Sequence, residues 1–529
     1  MQLNGKHIIA GNFSKLGGND GFYAVNPVTG KDLSVEFHEA TNEEIEQAVQ
    51  QAEVAFQHYR KVPGRERARF LEQIGEEIMA LGNDLIKRCE QETGLPAGRL
   101  QGERARTVNQ LKMFADLLRD GSWVDARIDT AIPEREPLPK PDLRQMQIAL
   151  GPVGIFGASN FPLAFSVAGG DTASALAAGC SIVVKAHPAH PGTSEMVGRA
   201  IMAAAKATHM PKGVFSMVQG QTTSVGMAIV NHRLIKAIGF TGSFKGGKAI
   251  FDAAAKRAEP IPVYAEMGSI NPVFVLPGAL KERQEEISQG LVNSVTLGVG
   301  QFCTNPGVVM SLQSEENKKF IEKTGELLAE VTSGAMLTDK IGQGYQQQVD
   351  KFSNTSGVTT VGKSKAAKVA VSSIARVFQT DAGTFLSNSD LSEEVFGPAT
   401  LHVNAVNKEE LLKLAVNLEG HLTATLQATE QDLKEYTDLV EILERKVGRL
   451  VINGYPTGVE VCHSMVHGGP YPATTDAKST SVGTGAIHRF SRPVCYQNFP
   501  QFLLPDELKN NNPLGIWRLM NGEMSRDEV

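Results

Sequence analysis

The chain has 529 residues, of which 41% are hydrophobic and 21% charged, and its formal net charge is −6. This length exceeds what a single core normally holds, so two or three domains are expected. Basic residues neither cluster nor interleave with aromatics, which excludes the electrostatic footprint of a nucleic-acid binder.

The opening stretch "MQLNGKHIIAGNFSKLGG" lacks the apolar h-region and small-residue cleavage pattern of a secretory signal. The cytoplasm is the expected compartment. Five widely spaced cysteines (Cys89, Cys180, Cys303, Cys462 and Cys495) do not resemble a disulfide framework and agree with a reducing environment.

Residues 41–119 carry apolar positions at helical spacing. Thr41 followed by Glu44 forms a capping-box start, and the glycine of "ETG" supplies a helix stop. The proline-rich "AIPEREPLPKPDLRQ" ends this helical region. Met146, Ile148 and Leu150 then alternate with polar residues as in a half-exposed strand.

The weakly polar run Phe165–Val184 is long enough to consider as a membrane span, but it contains Asp171 and divides into a small-residue helix followed by a β-branched strand. No membrane association is expected. From residue 151 to about 275, short apolar strands alternate with helices, the pattern of a doubly wound α/β sheet whose ligands sit at the carboxyl ends of the strands. A second α/β lobe follows between 271 and 470, with strand candidates "GVVMSL", "ATLHVNAV" and "GRLVING".

Four turns carry candidate chemistry. In "GASNFPLAF", Asn160 follows a strand and offers an amide to an oxyanion, although a turn-forming role also accounts for it. In "GFTGSFKGGKAI", Thr241, Gly242, Ser243 and Gly247 surround a helix start whose N–H groups suit a pyrophosphate. In "VYAEMGSINP", Glu266 ends a strand, as either a general base or a solvated or capping residue. In "VGQFCTNPG", Cys303 sits at a turn, as either a nucleophile or an inert apolar residue.

Two histidine clusters lack the remaining ligands of a zinc site: "CHSMVH" (Cys462, His463, His467) and "KAHPAHPG" (His187, His190). Both read as loop residues, and no metal is expected.

In their order, "ASNFP", "VVKAHP", "GFTGS", "EMG", "GQFCT" and "EEVFGP" resemble the motif series of the aldehyde dehydrogenase superfamily, and the likeness runs over nearly the whole chain. The resemblance implies a cofactor-binding domain (1–132 and 151–265), a catalytic domain (266–470), oligomerisation strands (133–150 and 490–500) and a C-terminal extension (501–529) without an assigned role. It implies Cys303 as the nucleophile, Glu266 as the general base, and Asn160 with the Cys303 backbone N–H as the oxyanion hole. For the cofactor it implies Lys185 and Glu394 at ribose hydroxyls, Phe396 near the nicotinamide ribose and the Thr241–Ser243 turn at the pyrophosphate.

Where many family members carry a glutamate three residues after the lysine, this chain has Pro188. Without that carboxylate a 2′-phosphate is not repelled, so NADP is expected, with NAD as the alternative. The wording of "KAHPAHPGTSE" and "CHSMVHGGPYPATTD" is similar to a subgroup holding alpha-ketoglutaric semialdehyde dehydrogenases and a bacterial fatty aldehyde dehydrogenase. A dioxo acid needs a cation, and the helix "GERARTVNQL" offers Arg104 and Arg106, with Arg106 and Phe161 as the implied substrate contacts. The resemblance implies a homodimer or homotetramer, with the strand near Met146 pairing across subunits. The alternatives are a non-redox thiol hydrolase or acyl transferase using Cys303 and Glu266, and a catalytically silent oligomer.

Overall fold

The computed structural model describes residues 2–17 and 21–529. Four helices, Asn42–Tyr59, Gly64–Ala80, Gly82–Thr93 and Ala97–Asp120, occupy the predicted helical region. Thr41 and Glu44 form the reciprocal capping box, and Gly94, with φ 67°, ends the third helix.

A seven-stranded sheet follows the order Val263–Glu266, Ala237–Thr241, Val153–Phe156, Ile182–Lys185, Phe215–Val218, His7–Ile9, Asn12–Ser14. The first five strands are parallel, and helices cover them, which is why a strand such as Val153–Phe156 is buried along its whole length. The two N-terminal strands join antiparallel at one edge, where Ile8 pairs with Met217. The run Phe165–Val184 resolves into the helix Gly170–Ala178 and the strand Ile182–Lys185. Among the described residues, no helix is long and apolar enough to cross a membrane.

A second seven-stranded sheet takes the order Thr359–Lys363, Arg376–Asp381, Ala399–Ala405, Val308–Leu312, Val273–Val275, His421–Gln427, Val447–Ile452. Only its first pair is antiparallel. The expected strands of the second lobe all lie in it. Each large sheet has its own apolar cluster, one centred on residues such as Ile155 and Val184 and the other on Phe274 and Leu401.

A third sheet holds the alternating strand around Met146. Leu143–Ala149 pairs antiparallel with Ser491–Gln497 inside this chain, from Ser491↔Ala149 to Gln497↔Leu143. The C-terminal extension enlarges that sheet: Arg518–Met520 pairs with Arg127–Asp129, and Glu523–Ser525 forms the outer strand.

The extension is anchored by buried cations that satisfy backbone carbonyls. Arg518 donates to Lys509 O at 2.5 Å and Asp527 O at 2.6 Å, and Arg144 donates to Leu508 O at 2.5 Å. Leu504, Leu508 and Ile516 enter the same apolar cluster as the first sheet. Leu508 is fully buried, so Leu508→Ala is expected to cost about 2–5 kcal/mol through lost burial and a residual cavity. Chemical denaturation will measure this, and an unchanged midpoint would show that the extension contributes nothing to the core.

Candidate active site

The strand ends of the first sheet line up. Phe156 pairs with Lys185 and with Phe240, and Thr241 pairs with Glu266, so the turns that follow share one edge. The backbone at Glu266 is pinned on both sides: Gly242 N–H donates to Glu266 O at 3.1 Å, and Met267 N–H donates to Ala473 O at 2.8 Å. Position 266 is thereby fixed before its side chain makes any contact.

Both oxygens of the Glu266 carboxylate are held. Oε1 lies 3.0 Å from Nε2 of His467, and Oε2 accepts from Ser481 Oγ at 2.7 Å. The two partners come from one loop that closes on itself, with Ser481 N–H donating to His467 O at 2.8 Å and Thr480 Oγ accepting from His467 N–H at 2.9 Å. Glu266 and His467 are both buried. His467 is the correction to the loop reading of "CHSMVH": the first histidine of that stretch, His463, faces Thr484, whereas the second enters the site.

Cys303 follows a turn in which Gly298, Val299 and Gly300 all have positive φ, of 56°, 60° and 64°. A β-branched residue in this conformation stores on the order of 1–3 kcal/mol of strain, so the surroundings must impose it. They do so from two sides. A Cβ on Gly300 would lie 2.4 Å from the Gly397 carbonyl, so only glycine lets the thiol turn rest against the "EEVFGP" turn. Beyond the cysteine, Asn271 Nδ2 donates to Cys303 O at 2.8 Å and Asn305 O at 2.9 Å. The thiol ends half-buried, with Sγ 3.6 Å from Nε2 of His467.

Electrostatics divide the proton between acid and thiol. Burial pushes the Glu266 carboxyl up, but the charge and hydrogen bond of His467, with hydrogen bonds from Ser481 and the Cys303 thiol, outweigh it and leave the group below the usual carboxylate range. Burial, followed by the Glu266 charge, pushes the Cys303 thiol well above its ordinary value. At neutral pH the resting pair is a carboxylate beside a protonated thiol. Glu394 is pushed up to about 7 by burial, opposed by the Ser269 N–H and reinforced by Glu266. Of the two neighbouring carboxyls, Glu394 is the one that holds a proton near neutrality.

Asn160 Nδ2 donates to Gln301 O at 2.9 Å, tying its turn to the cysteine turn. A primary amide has two N–H donors, so one is fixed by this bond and the other stays available. Arg99 completes the brace. Its Nη2 donates to Asn160 O at 2.7 Å, and its guanidinium lies 5.0 Å from the Phe161 ring centre and 4.8 Å from that of Phe302. Sequence reasoning passed over Arg99. Its signal is positional, because Arg99, Glu103 and Arg106 recur at i, i+4 and i+7 and therefore share one helix face.

Arg106 sits over the rings of Phe161 at 5.8 Å and Phe165 at 5.3 Å. Its Nε and Nη2 atoms are buried without a hydrogen-bond partner among the described residues. Arg104, weighed alongside it from sequence, instead donates to Gly82 O at 2.7 Å.

The remaining predicted residues flank the same edge. Ser243 caps the helix Phe244–Ala255 by accepting from Gly246 N–H, which leaves the N–H groups of Phe244 and Lys245 beyond the reach of intrahelical acceptors. A Cβ on Gly247 would lie 2.6 Å from Met267, so glycine brings this helix close to the strand end. Lys185 is half-buried, with its ammonium lowered to about 8 by burial against the opposing pull of Glu39. Pro188 lies in the turn before the helix Pro191–Ala207, where His190 bridges to Ala158 O at 3.1 Å. Glu394 Oε1 lies 3.4 Å from the Ser269 N–H, and Phe396 is half-buried next to Gly397. Free helix N–H groups after one strand and a lysine two strands away on the same sheet edge fit a dinucleotide phosphate.

The family model described as "Aldehyde dehydrogenase family" matches residues 16–483. The chain is 50% identical over 524 residues to alpha-ketoglutaric semialdehyde dehydrogenase 2 of Azospirillum brasilense, covering 99% of this chain and 100% of that one. It is 48% identical over 492 residues to alpha-ketoglutaric semialdehyde dehydrogenase of Acinetobacter baylyi, covering 93% of each. The fold is similar to that of lactaldehyde dehydrogenase from Escherichia coli, with a TM-score of 0.81 at 20% identity over 93% of this chain and 99% of that one. The chain belongs to the aldehyde dehydrogenase family.

Proposed function

We propose that this NAD(P)-dependent aldehyde dehydrogenase oxidises alpha-ketoglutaric semialdehyde (2,5-dioxopentanoate) to 2-oxoglutarate. The observation that carries the substrate is Arg106, a half-buried guanidinium whose Nε and Nη2 have no hydrogen-bond partner among the described residues. Leaving such donors unpaired is costly, and a substrate carboxylate supplies a geometrically matched acceptor. The names of the two relatives near 50% identity support the same substrate.

In the proposed mechanism, ionised Glu266 takes the Cys303 proton and the thiolate attacks the aldehyde carbon. A C–S bond forms, and the carbonyl electrons pass to oxygen, which the second Asn160 N–H meets. A dinucleotide on the Ser243 cradle, when bound, supplies the acceptor for the hydride. Glu266 gives up the thiol's proton to solvent and, ionised again, takes a proton from the water that hydrolyses the thioester; passing that proton to the departing sulfur releases the acid and restores the thiol. His467 and Ser481 keep Glu266 charged and aimed, while Arg99 holds the Asn160 turn against the Cys303 turn.

We further propose NADP as the preferred cofactor, because Pro188 replaces a carboxylate beside the Lys185 ammonium. A cytoplasmic homo-oligomer suits the five free thiols and the family resemblance.

Two measurements test these assignments. Arg106→Met is expected to lower kcat/KM for the dioxo acid by about 30-fold, the worth of ~2 kcal/mol of charge-assisted hydrogen bonding, while a medium-chain apolar aldehyde is turned over as before. Equal loss on both substrates would remove the carboxylate role and leave the fatty-aldehyde reading standing. Pro188→Glu is expected to move the NADP/NAD ratio of kcat/KM toward NAD by roughly tenfold or more, since the new carboxylate repels a 2′-phosphate. A ratio unchanged by this substitution would contradict the cofactor assignment.

A further inference from the structure

Glu266, Cys303 and His467 present one oxygen, one sulfur and one nitrogen, all within 4.8 Å of one another. Zinc bonds of about 2.0–2.3 Å arranged tetrahedrally place a nitrogen and a sulfur about 3.5 Å apart and a nitrogen and an oxygen about 3.3 Å apart. The corresponding separations are 3.6 Å for His467 Nε2 to Cys303 Sγ and 3.0 Å for His467 Nε2 to Glu266 Oε1. The donors already stand close to the positions that a tetrahedral ion requires.

We propose that these three side chains form a binding site for a zinc-like dication, occupied in competition with catalysis. The inference concerns the side chains alone and does not depend on which aldehyde is the substrate.

A thiolate with an imidazole selects a borderline ion such as zinc over magnesium or calcium, which prefer oxygen ligands. Three protein ligands leave a fourth position for water. On binding, the Cys303 proton is released to solvent, the proton that His467 Nε2 offers to Glu266 also leaves so that this nitrogen can bind the ion with Nδ1 protonated, and Glu266 enters as the carboxylate it already is. No oxidation state changes. Outer contacts of the kind that orient metal ligands are in place: Ser481 Oγ donates to the other Glu266 oxygen at 2.7 Å, and Ser481 N–H donates to His467 O at 2.8 Å.

Occupation removes the nucleophile and the base together, so the metal acts as a reversible shut-off for the dehydrogenase. Neither motif stretch announces this site. The sequence separations are 164 residues for Cys303 to His467 and 201 for Glu266 to His467.

Chelator-treated full-length enzyme titrated with zinc chloride tests the proposal, following activity and the alkylation of Cys303 by iodoacetamide. Activity and alkylation should fall together at one equivalent and return with chelator. Cadmium in place of zinc should produce thiolate-to-metal charge-transfer absorbance that disappears in Cys303→Ser. His467→Ala, with His467→Gln read in parallel to preserve side-chain bulk, should weaken cadmium affinity by at least ~10-fold. A charge-transfer band that survives Cys303→Ser, from another thiol such as the exposed Cys495, would overturn the site. So would wild-type affinity in both His467 variants.

Discussion

A buried carboxylate that stays charged beside a thiol that stays protonated is the constraint on which the candidate active site depends. Burial opposes the charge on Glu266, and the His467 and Ser481 contacts, with that of the Cys303 thiol, are what reverse the balance. The carboxylate then acts back on Cys303, reinforcing the effect of burial on the thiol. The pair therefore rests with its proton on sulfur and a base directly alongside to remove it.

The larger fold delivers these groups to one place. Parallel strands end on a common edge, so Glu266, Thr241 and Lys185 emerge together although up to 81 positions separate them along the chain, from 185 to 266. The cysteine arrives from the other lobe, on a turn whose positive φ angles are held by Gly397 packing and by Asn271. Arg99 spans the two arrivals by binding Asn160 O and lying over Phe161 and Phe302. A displacement of either turn would be transmitted to the gap between amide and thiol.

Much of this was legible in the sequence because it rests on local rules. The Thr41 capping box, the αL glycine at 94, the strand–helix alternation and the small-residue helix before Ile182 each depend on nearby residues. The motif order also grouped Cys303, Glu266 and Asn160, whose turns the structure brings together. His467 was not legible, because its importance comes from a loop that folds back across the sheet and closes through Ser481. The three-residue strands His7–Ile9 and Asn12–Ser14 are too short for alternation to declare them. The pairing of Leu143–Ala149 with Ser491–Gln497 within one chain is likewise a matter of tertiary placement, since an alternating strand does not specify its partner.

Titration of the Cys303 thiol, through the pH dependence of its alkylation in wild type and in Glu266→Gln with Cys303→Ala as the blank, tests this resting state most directly. The thiol in wild type is predicted to titrate well above the ordinary range and to shift downward once the carboxylate charge is removed. A wild-type thiol that titrates at or below the ordinary range, or one indifferent to Glu266→Gln, would contradict the claim that the pair rests as carboxylate and thiol.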